Sequence, residues 1–369
     1  MTTVPTTFTR LGSIAVLAVA ASIVLSSCAS NETPAPKPSD SSAPVLSGSI
    51  SGIGSSAQGA AETAWAADFQ TANAGVTVNY DPQGSGAGRT SFISGAADFA
   101  GSDAALKDAE LATPSPLCAA GTKAIDLPVY ISPIAIVYNV DGLKTLKLDS
   151  PTIAGIFKGA ITKWNDPKIA SQNSGASLPD VAITVVHRSD DSGTTQNFTD
   201  FLASTSGGVW DKPAGQTYPY PVGDAAKGSS GVADAVKNSA NSIAYLDESA
   251  ATGLGIAQLK VGSDYVTINA AGAADVVAKS QLVLGREKSD LAIDINRTVA
   301  TKNAWPLVLV SYLIVCNQYA DAAKGTLVKA YASYVASAAG QASAAKTAGS
   351  APISTQLAAD VAAAIATIK

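Results

Sequence analysis

The feature that most constrains the fold of this chain is a local order that recurs along it. An apolar, strand-like run ends in a turn rich in Gly, Ser or Thr, and a helix-like segment usually follows. Four turns fit this order, and they are Gly54-Ser55-Ser56-Ala57, Gly84-Ser85-Gly86-Ala87-Gly88, Gly101-Ser102-Asp103 and Ser192-Gly193-Thr194. Strands that alternate with helices pack as layers around a sheet. The sequence therefore predicts an α/β protein with mostly parallel sheets, and the Ala-rich tail after about residue 318 predicts packed helices.

Size and charge narrow the possible functions. The chain has 369 residues, of which 47% are hydrophobic and only 14% charged, so it can bury a large core and its length favours two domains. The formal net charge is -5 and the chain contains no cluster of Lys and Arg, which argues against nucleic acid as a partner. If the ligand is an anion, local hydrogen-bond donors must bind it, because the overall field does not attract it.

The N-terminal segment indicates export. Arg10 precedes an apolar run over 11–25, and Ser26, Ser27 and Cys28 follow, which predicts a signal peptide over 1–27. The four residues 25–28 resemble a bacterial lipobox, in which the cysteine becomes the lipid-bearing N-terminus; an ordinary signal peptide with an incidental cysteine is the alternative. Residues 28–47 then form a Pro/Ser-rich flexible linker. We expect a lipid anchor on the extracytoplasmic face of the cell membrane, with no membrane-spanning segment, since 305–316 is too short to span and is predicted to be a buried strand.

The remaining cysteines leave two alternatives open. Cys118 and Cys316 form one disulfide outside the cytoplasm, or they stay a free buried pair. One histidine and two scattered cysteines make no recognisable set of metal ligands, so we expect no metal and no cofactor.

The Gly/Ser/Thr turns carry the chemistry of an oxyanion site. The first backbone N–H groups of a helix lack internal partners, and the aligned peptide dipoles place partial positive charge there. Glycine allows a ligand to approach the main chain, and Ser or Thr adds a hydroxyl donor. Any one such turn is better explained as a helix cap. Four of them, with Arg188 beside one, favour an anion-binding site.

Two enzymatic interpretations fit the sequence less well. The turn at 84–88 has its third glycine misplaced for a dinucleotide site, and export does not suit a nicotinamide enzyme. His187, Asp190 and Ser192 supply the residue types of a hydrolase triad, but residues so close in sequence do not normally adopt its geometry. A secreted serine phosphatase or esterase using Ser192 remains an alternative, and we predict no catalytic residue.

Four stretches together resemble the phosphate-binding lipoproteins of bacterial ABC phosphate importers (the Pst system), from about residue 48 to the C-terminus. They are VNYDPQGSGAG…DFAGSDAAL (78–106), IFKGAITKWNDPKI (156–169), VVHRSDDSGTTQNFTDFL (185–202) and NSIAYLDE (241–248). The resemblance implies a two-lobed periplasmic-binding-protein fold of type II with two crossover segments. Lobe 1 would comprise 48–128 plus 284–369, and lobe 2 would comprise 129–283. Trp164, within the GxIxxWxDP element, is expected to be a packing residue.

The resemblance also implies the residues that contact phosphate between the lobes. Carried over position by position, they are Ser56, Ala57, Ser85 and Asp103 from the first lobe, and Arg188, Ser192, Gly193 and Thr194 from the second. Asp190 would pair with Arg188 and hold its guanidinium. Asp191 departs from the family pattern, in which Gly is usual, so we predict that its carboxylate points to solvent.

Asp103 carries the expected specificity. A carboxylate in an anion site repels a fully ionised ligand such as sulfate, but it accepts a hydrogen bond from HPO₄²⁻ or H₂PO₄⁻. An unsatisfied buried charge costs several kcal/mol, on the order of three powers of ten in affinity. The implied function is capture of inorganic phosphate for the membrane permease of an ABC importer, without catalysis. The alternatives are another tetrahedral oxyanion, such as sulfate or molybdate, and a surface adhesin or sensor that kept the fold.

Overall fold

The computed structural model describes residues 46–369, so the predicted signal peptide and Cys28 lie outside the described residues. Its strands are β1 Gly48–Gly54, β2 Val76–Asp81, β3 Phe99–Ser102, β4 Ala124–Asn139, β5 Lys147–Leu148, β6 Thr184–Arg188, β7 Asp224–Ala226, β8 Ser242–Asp247, β9 Gly255–Ile256, β10 Gln258–Val261, β11 Asp264–Val266, β12 Gln281–Leu282, β13 Ile293–Asp294 and β14 Val308–Cys316. Its helices are α1 Gly59–Ala72, α2 Ser85–Ser94, α3 Asp108–Leu111, α4 Ser150–Phe157, α5 Pro167–Ala170, α6 Gly193–Thr205, α7 Gly228–Asn238, α8 Ala270–Ala278, α9 Ala322–Ala336, α10 Ala338–Ala348 and α11 Thr355–Ala366.

One long strand, β4, joins the two parts of the main sheet. The strand order is β2-β1-β3-β14-β4-β8-β6-β7, and β9 also pairs with β4. Residues 124–133 of β4 pair with β14, whereas residues 134–139 pair with β8. We call β2, β1, β3 and β14 the first half-sheet, and β8, β6 and β7 the second half-sheet. The mixed α/β class and the two-lobed fold are thus as expected, while the lobe boundaries given above stay a prediction.

The sheet is less parallel than the sequence suggested. β1 pairs in parallel with β2 and β3, and β6 pairs in parallel with β7 and β8. The central pairings of β14 with β3 and β4, and of β4 with β8 and β9, are antiparallel. Half of these eight pairings therefore contradict the expected mostly parallel sheet. The flanks follow the strand–helix alternation, whereas β4 and β14 pair with each other through the middle of the sheet.

The two central strands form the core. Every residue of β14 is buried, and so is every residue of β4 except its two ends. Strands covered on both faces read as unbroken apolar runs, which explains why 305–316 could be predicted as a buried strand. Trp164 is fully buried, and its Nε1 donates to the carbonyl of Asn241 at 3.0 Å. Its predicted role as a packing residue is confirmed.

The Ala-rich tail folds as packed helices, as predicted. Ser337 and Ser354 cap the N-termini of α10 and α11. Each hydroxyl accepts a hydrogen bond from a backbone N–H of the first turn, at 3.1 Å and 3.2 Å. The Nε1–H of Trp65 in α1 donates a 2.7 Å hydrogen bond to the carbonyl of Gly340. This bond holds the C-terminal helices against α1.

The Gly-rich run at 84–88, predicted as a turn, lies mostly within a helix. Helix α2 already begins at Ser85, after Gly84 with a φ of 105°. A Cβ at Gly88 would lie 2.5 Å from the carbonyl oxygen of Ile53 and 2.6 Å from the Cα of Gly54. Glycine is required there because the helix backbone packs directly on β1.

Cys118 and Cys316 form a disulfide, with the Cα atoms 5.3 Å apart and a sequence separation of 198. This resolves the two alternatives that the sequence left open. Within residues 46–369, no helix is long and apolar enough to cross a membrane.

Candidate functional site

The candidate site lies where the ends of three strands from both half-sheets meet. The carboxyl ends of β1 and β3 lie side by side in the first half-sheet, and the carboxyl end of β6 supplies the second. Helix α1 follows β1, and α6 follows β6, so two helix N-termini lie at this edge. The open α/β topology therefore brings three of the four predicted turns together, and α2 adds the fourth.

A buried carboxylate, Asp103, forms the centre of the site. Its Oδ1 accepts a 2.5 Å hydrogen bond from the hydroxyl of Ser55, and its Oδ2 accepts a 3.1 Å hydrogen bond from the hydroxyl of Thr194. Its own N–H donates to the Ser85 hydroxyl at 3.1 Å. Ser55 belongs to the first half-sheet and Thr194 to the second. The carboxylate is therefore held by one hydroxyl from each side.

Burial raises the pKa of Asp103 above its usual range. The hydrogen bonds from Ser55 and Thr194 and the positive charge of Arg188 act in the opposite direction, because they favour the ionised form. A buried carboxylate surrounded by donors can accept a further proton-bearing group, and it repels a second anion that has no proton.

Arg188 is the charged donor of the site, and only 3% of its surface is exposed. Its Nε and Nη2 donate to the two carboxylate oxygens of Asp190 at 2.7 Å and 2.5 Å, and its Nη1 points at the Thr194 hydroxyl at 3.5 Å. The predicted pairing of Asp190 with Arg188 is present. Burial raises the pKa of Asp190, but the hydrogen bonds and charge of Arg188 outweigh it and hold that pKa below its usual range. The two hydrogen bonds to the Asp190 carboxylate fix the orientation of the Arg188 guanidinium.

The N-terminus of α6 completes the second side of the site. The hydroxyl of Ser192 caps the helix by accepting from the N–H of Thr195 at 3.1 Å. Gly193 lies so close to the opposite side that a Cβ would be 2.6 Å from the Cβ of Asp103 and 2.7 Å from the Ser85 hydroxyl. Glycine at this position allows α6 to approach the Asp103 loop.

Ser56 and Ala57 lie at the edge of this cluster rather than at its centre. The N–H of Ser229, at the start of α7, donates to the Ser56 hydroxyl at 3.0 Å. The N–H of Ala57 donates to the Ser55 hydroxyl at 3.1 Å. Sequence reasoning therefore missed Ser55 as the partner of Asp103. The only available signal was the pair of adjacent serines in the first turn.

Further contacts join the two sides around the cluster. The N–H of Gly86 donates to the carbonyl of Asp191 at 3.0 Å, and Arg89 Nη2 donates to Gln216 Oε1 at 2.7 Å. The Asp191 side chain itself is exposed, and its Oδ1 accepts from the Thr217 hydroxyl at 2.8 Å. The prediction that this carboxylate points to solvent is confirmed.

A cleft of about 500 Å³, lined by both polar and apolar residues, lies next to the cluster. The residues that line it come from both sides and include Ser56, Tyr80, Gln83, Lys227, Ser229 and Ser249. The ammonium of Lys227 donates to Oε1 of Gln83 across this cleft. This cleft therefore lies between the two halves, beside the buried cluster.

His187 is not placed as a triad base. Its ring stacks on Tyr218 with centroids 4.0 Å apart, and its Nδ1 lies 3.0 Å from the carbonyl oxygen of Arg188. The hydroxyl of Ser192 is engaged with the N–H of Thr195 instead. Over the described range, no three His, Cys, Asp or Glu side chains form a group that could hold a metal ion.

The chain matches the family model for the PBP superfamily domain over residues 38–339. The phosphate-binding protein PstS 3 of Mycobacterium leprae is 41% identical to it over 286 residues, which cover 75% of this chain and 76% of that relative. The chain belongs to the PstS family. The phosphate-binding protein PstS 2 of Mycobacterium tuberculosis is 36% identical over 338 residues, with 88% of this chain and 90% of that relative covered.

Solved structures of phosphate-binding proteins share the fold. The periplasmic phosphate-binding protein PfluDING, determined with phosphate bound, superimposes with a TM-score of 0.70 at 24% identity and covers 86% of this chain and 93% of its own. A phosphate-binding protein from Stenotrophomonas maltophilia gives a TM-score of 0.69 at 20% identity, with the same coverage of both chains. These similarities establish the two-lobed architecture of the PstS family for this chain.

Proposed function

We propose that this protein captures inorganic phosphate between the two halves of its sheet and delivers it to an ABC phosphate importer. The observation that carries the proposal is Asp103, a buried carboxylate held by one hydroxyl from each half and placed beside the Arg188 guanidinium. The names of its PstS relatives, all phosphate-binding proteins, support the same ligand.

The ligand contacts follow from the donors that surround Asp103. Arg188 neutralises the anion, Asp190 orients Arg188, and the N-terminus of α6 supplies backbone N–H groups. HPO₄²⁻ or H₂PO₄⁻ donates a hydrogen bond from its P–OH group to the Asp103 carboxylate, whereas sulfate has no proton with which to donate one. The proposed contact residues are Ser55, Ser56, Ala57, Ser85, Asp103, Arg188, Ser192, Gly193 and Thr194.

Because the contacts come from both halves, phosphate stabilises the form in which the halves are close together, and release follows their separation. In the proposed domain organisation, residues 48–128 and 284–369 form one lobe and residues 129–283 the other. The permease recognises the loaded, closed form. Cys28 carries the lipid that holds the protein on the extracytoplasmic face of the membrane, and residues 28–47 form its linker.

The protein acts by binding alone. Its relatives are named as binding proteins, and the Ser192 hydroxyl is engaged as a helix cap rather than paired with His187. A tetrahedral ligand that keeps all its bonds needs no nucleophile, base or cofactor.

Isothermal titration calorimetry of the purified protein with phosphate, alone and with a large excess of sulfate or molybdate, tests the proposal. We expect saturable binding of one phosphate that excess sulfate does not displace. Displacement by sulfate, or no heat of phosphate binding, contradicts the proposal. Turnover of a chromogenic phosphate ester that is lost in Ser192→Ala would instead support the esterase alternative.

The lipid anchor has a separate test. Labelling of cells with an alkyne palmitate analogue should mark the wild-type protein and leave Cys28→Ala unmarked and released from the membrane. Equal labelling of both proteins excludes Cys28 as the lipidated residue.

A further inference from the structure

A buried amide, Asn197, ties the Asp103 loop to the other half of the protein. Only 5% of Asn197 is exposed, and it lies in the first two turns of α6. Its Nδ2 donates to the main-chain carbonyl of Asp103 at 2.7 Å and to the carbonyl of Gly193 at 2.9 Å. The first of these bonds joins residues that are 94 positions apart in the chain.

Arg297 determines which way the Asn197 amide faces. The Arg297 Nη2 donates to Oδ1 of Asn197 at 2.6 Å. A guanidinium has only donors, so the amide oxygen must face Arg297 and the amide nitrogen must face Asp103. Arg297 is itself 4% exposed and held in place, with Nε 2.8 Å from Asp200 Oδ2 and Nη1 2.6 Å from the carbonyl of Val308.

The amide therefore connects three parts of the fold. It belongs to α6, it contacts the loop after β3, and through Arg297 it is joined to the first residue of the central strand β14. Asp103 then has a partner for every polar atom: Ser85 at its N–H, Asn197 at its carbonyl, and Ser55 and Thr194 at its carboxylate. Two of these partners come from α6.

We propose that Asn197, oriented by Arg297, is a positioning residue that holds Asp103 against α6 and stabilises the closed, phosphate-bound form. This inference rests on the proposed function. In the open form the hydrogen bond from Asn197 to the Asp103 carbonyl is broken, so this bond favours closure. Because it fixes the Asp103 backbone, it also sharpens the discrimination between phosphate and sulfate.

The isosteric variant Asn197→Asp gives the sharpest test. It keeps an acceptor for Arg297 but replaces the donor to Asp103 and Gly193 with an oxygen, which repels both carbonyls. We expect the Kd for phosphate to rise at least tenfold, mainly through a faster off-rate in stopped-flow measurements. We also expect the ratio of the sulfate Kd to the phosphate Kd to fall, which general destabilisation does not cause.

Asn173→Asp is the matched control. Asn173 is 7% exposed, its Oδ1 accepts from the N–H of Lys147, and its Nδ2 donates to the carbonyls of Lys147 and Ile169. It thus has one acceptor contact and two donor contacts, as Asn197 does, but none of them reaches the site. This variant should lose stability and keep the wild-type phosphate Kd and off-rate.

The outcomes separate the inference from the proposed function. If wild type binds no phosphate, the proposed function fails. If wild type binds phosphate and Asn197→Asp binds it with the same Kd and off-rate, the inference alone is overturned. If Asn197→Asp does not fold, Asn197→Ala carries the same test, because it removes the donor without adding a charge.

Discussion

The Thr194 hydroxyl donates to the Asp103 carboxylate at 3.1 Å and so joins two side chains from opposite halves of the main sheet. The same hydroxyl lies 3.5 Å from Nη1 of Arg188. An acidic and a basic group are therefore placed around one hydroxyl in a buried site.

Removal of the Arg188 guanidinium should weaken phosphate binding. We expect Arg188→Ala to raise the phosphate Kd at least tenfold, since a charged, hydrogen-bonded donor is lost and Asp190 is left unpaired. The phosphate Kd of Arg188→Lys should lie between those of wild type and Arg188→Ala. An ammonium keeps the positive charge but cannot bind both Asp190 oxygens. Calorimetry measures the three affinities, and an unchanged Kd in Arg188→Ala would refute the role of Arg188.

A methyl group at Gly193 should prevent the close approach of α6 to Asp103. A Cβ there would lie 2.6 Å from the Asp103 Cβ, so we expect Gly193→Ala to raise the phosphate Kd at least tenfold. Alanine favours the helix itself, so the melting temperature without ligand should change little. Gly231→Ala in α7 is the control, because the nearest atom would be 3.9 Å away, and its Kd should match wild type. Equal Kd values for both variants would contradict the packing argument.

Sulfate binding should improve as the pH falls. Burial raises the pKa of Asp103, so its carboxylate gains a proton at a higher pH than an exposed aspartate and can then donate to sulfate. Asp103→Asn should bind sulfate better than wild type does at neutral pH and lose most of this pH dependence. Competition titrations of both proteins across pH 5–8 measure the effect. A sulfate Kd that is flat with pH and the same in both proteins would exclude this basis of selectivity.

Glu62 should make the stability of the protein depend on pH. Burial raises its pKa from 4.5 to about 8, although the hydrogen bond from the Tyr331 hydroxyl opposes the shift. The unfolded chain ionises near 4.5 while the folded protein keeps the proton, so the folded state loses stability as the pH rises from about 4.5 to about 8. The slope from this group is about 1.4 kcal/mol per pH unit within that window and near zero outside it.

Glu62→Gln should remove this contribution, because a neutral amide has no proton to lose. Denaturant unfolding of both proteins at several pH values measures the difference. We expect the gain of the variant over wild type to increase from pH 5 to pH 8. A constant difference across this range would mean that Glu62 does not titrate in the window.

Loss of the disulfide should destabilise the fold. Replacing both Cys118 and Cys316 with serine opens the loop that the disulfide closes across a sequence separation of 198. This replacement should lower the free energy of unfolding by about 2–5 kcal/mol. Denaturant unfolding compares the two proteins. A thiol titration of denatured, unreduced wild type checks the bond itself, and two free thiols from these cysteines would contradict it.

The pattern of strand-like runs predicted the four Gly/Ser/Thr turns, whereas the individual contact residues came from the resemblance to the Pst phosphate-binding lipoproteins. Asp103 and Arg188 both end such runs, and the carboxyl ends of parallel strands on each flank meet at the same edge of the sheet. The same reasoning could not separate Ser55 from Ser56. Adjacent residues in a turn point to different sides, and only the backbone geometry decides which hydroxyl reaches Asp103.

The role of Asn197 is a second feature that the sequence could not predict. This residue follows the Ser192-Gly193-Thr194 turn in a helix, and nothing in its local pattern distinguishes it from any other polar helical residue. Its role arises from Arg297, 100 residues later, and from a carbonyl 94 residues earlier. Neither partner is marked by periodicity or by a motif.

By itself, the sequence determined the alternation of strands and helices, the buried central strand, the packed tail and the Gly/Ser/Thr turns that follow the strands. These depend on side-chain polarity and spacing over a few residues. Only the tertiary structure decided the antiparallel centre of the sheet, the Cys118–Cys316 bond and the hydrogen bonds that hold Asp103. Those features depend on how distant segments are brought together by β4 and β14, and hydrogen bonds between them form only within a few tenths of an ångström.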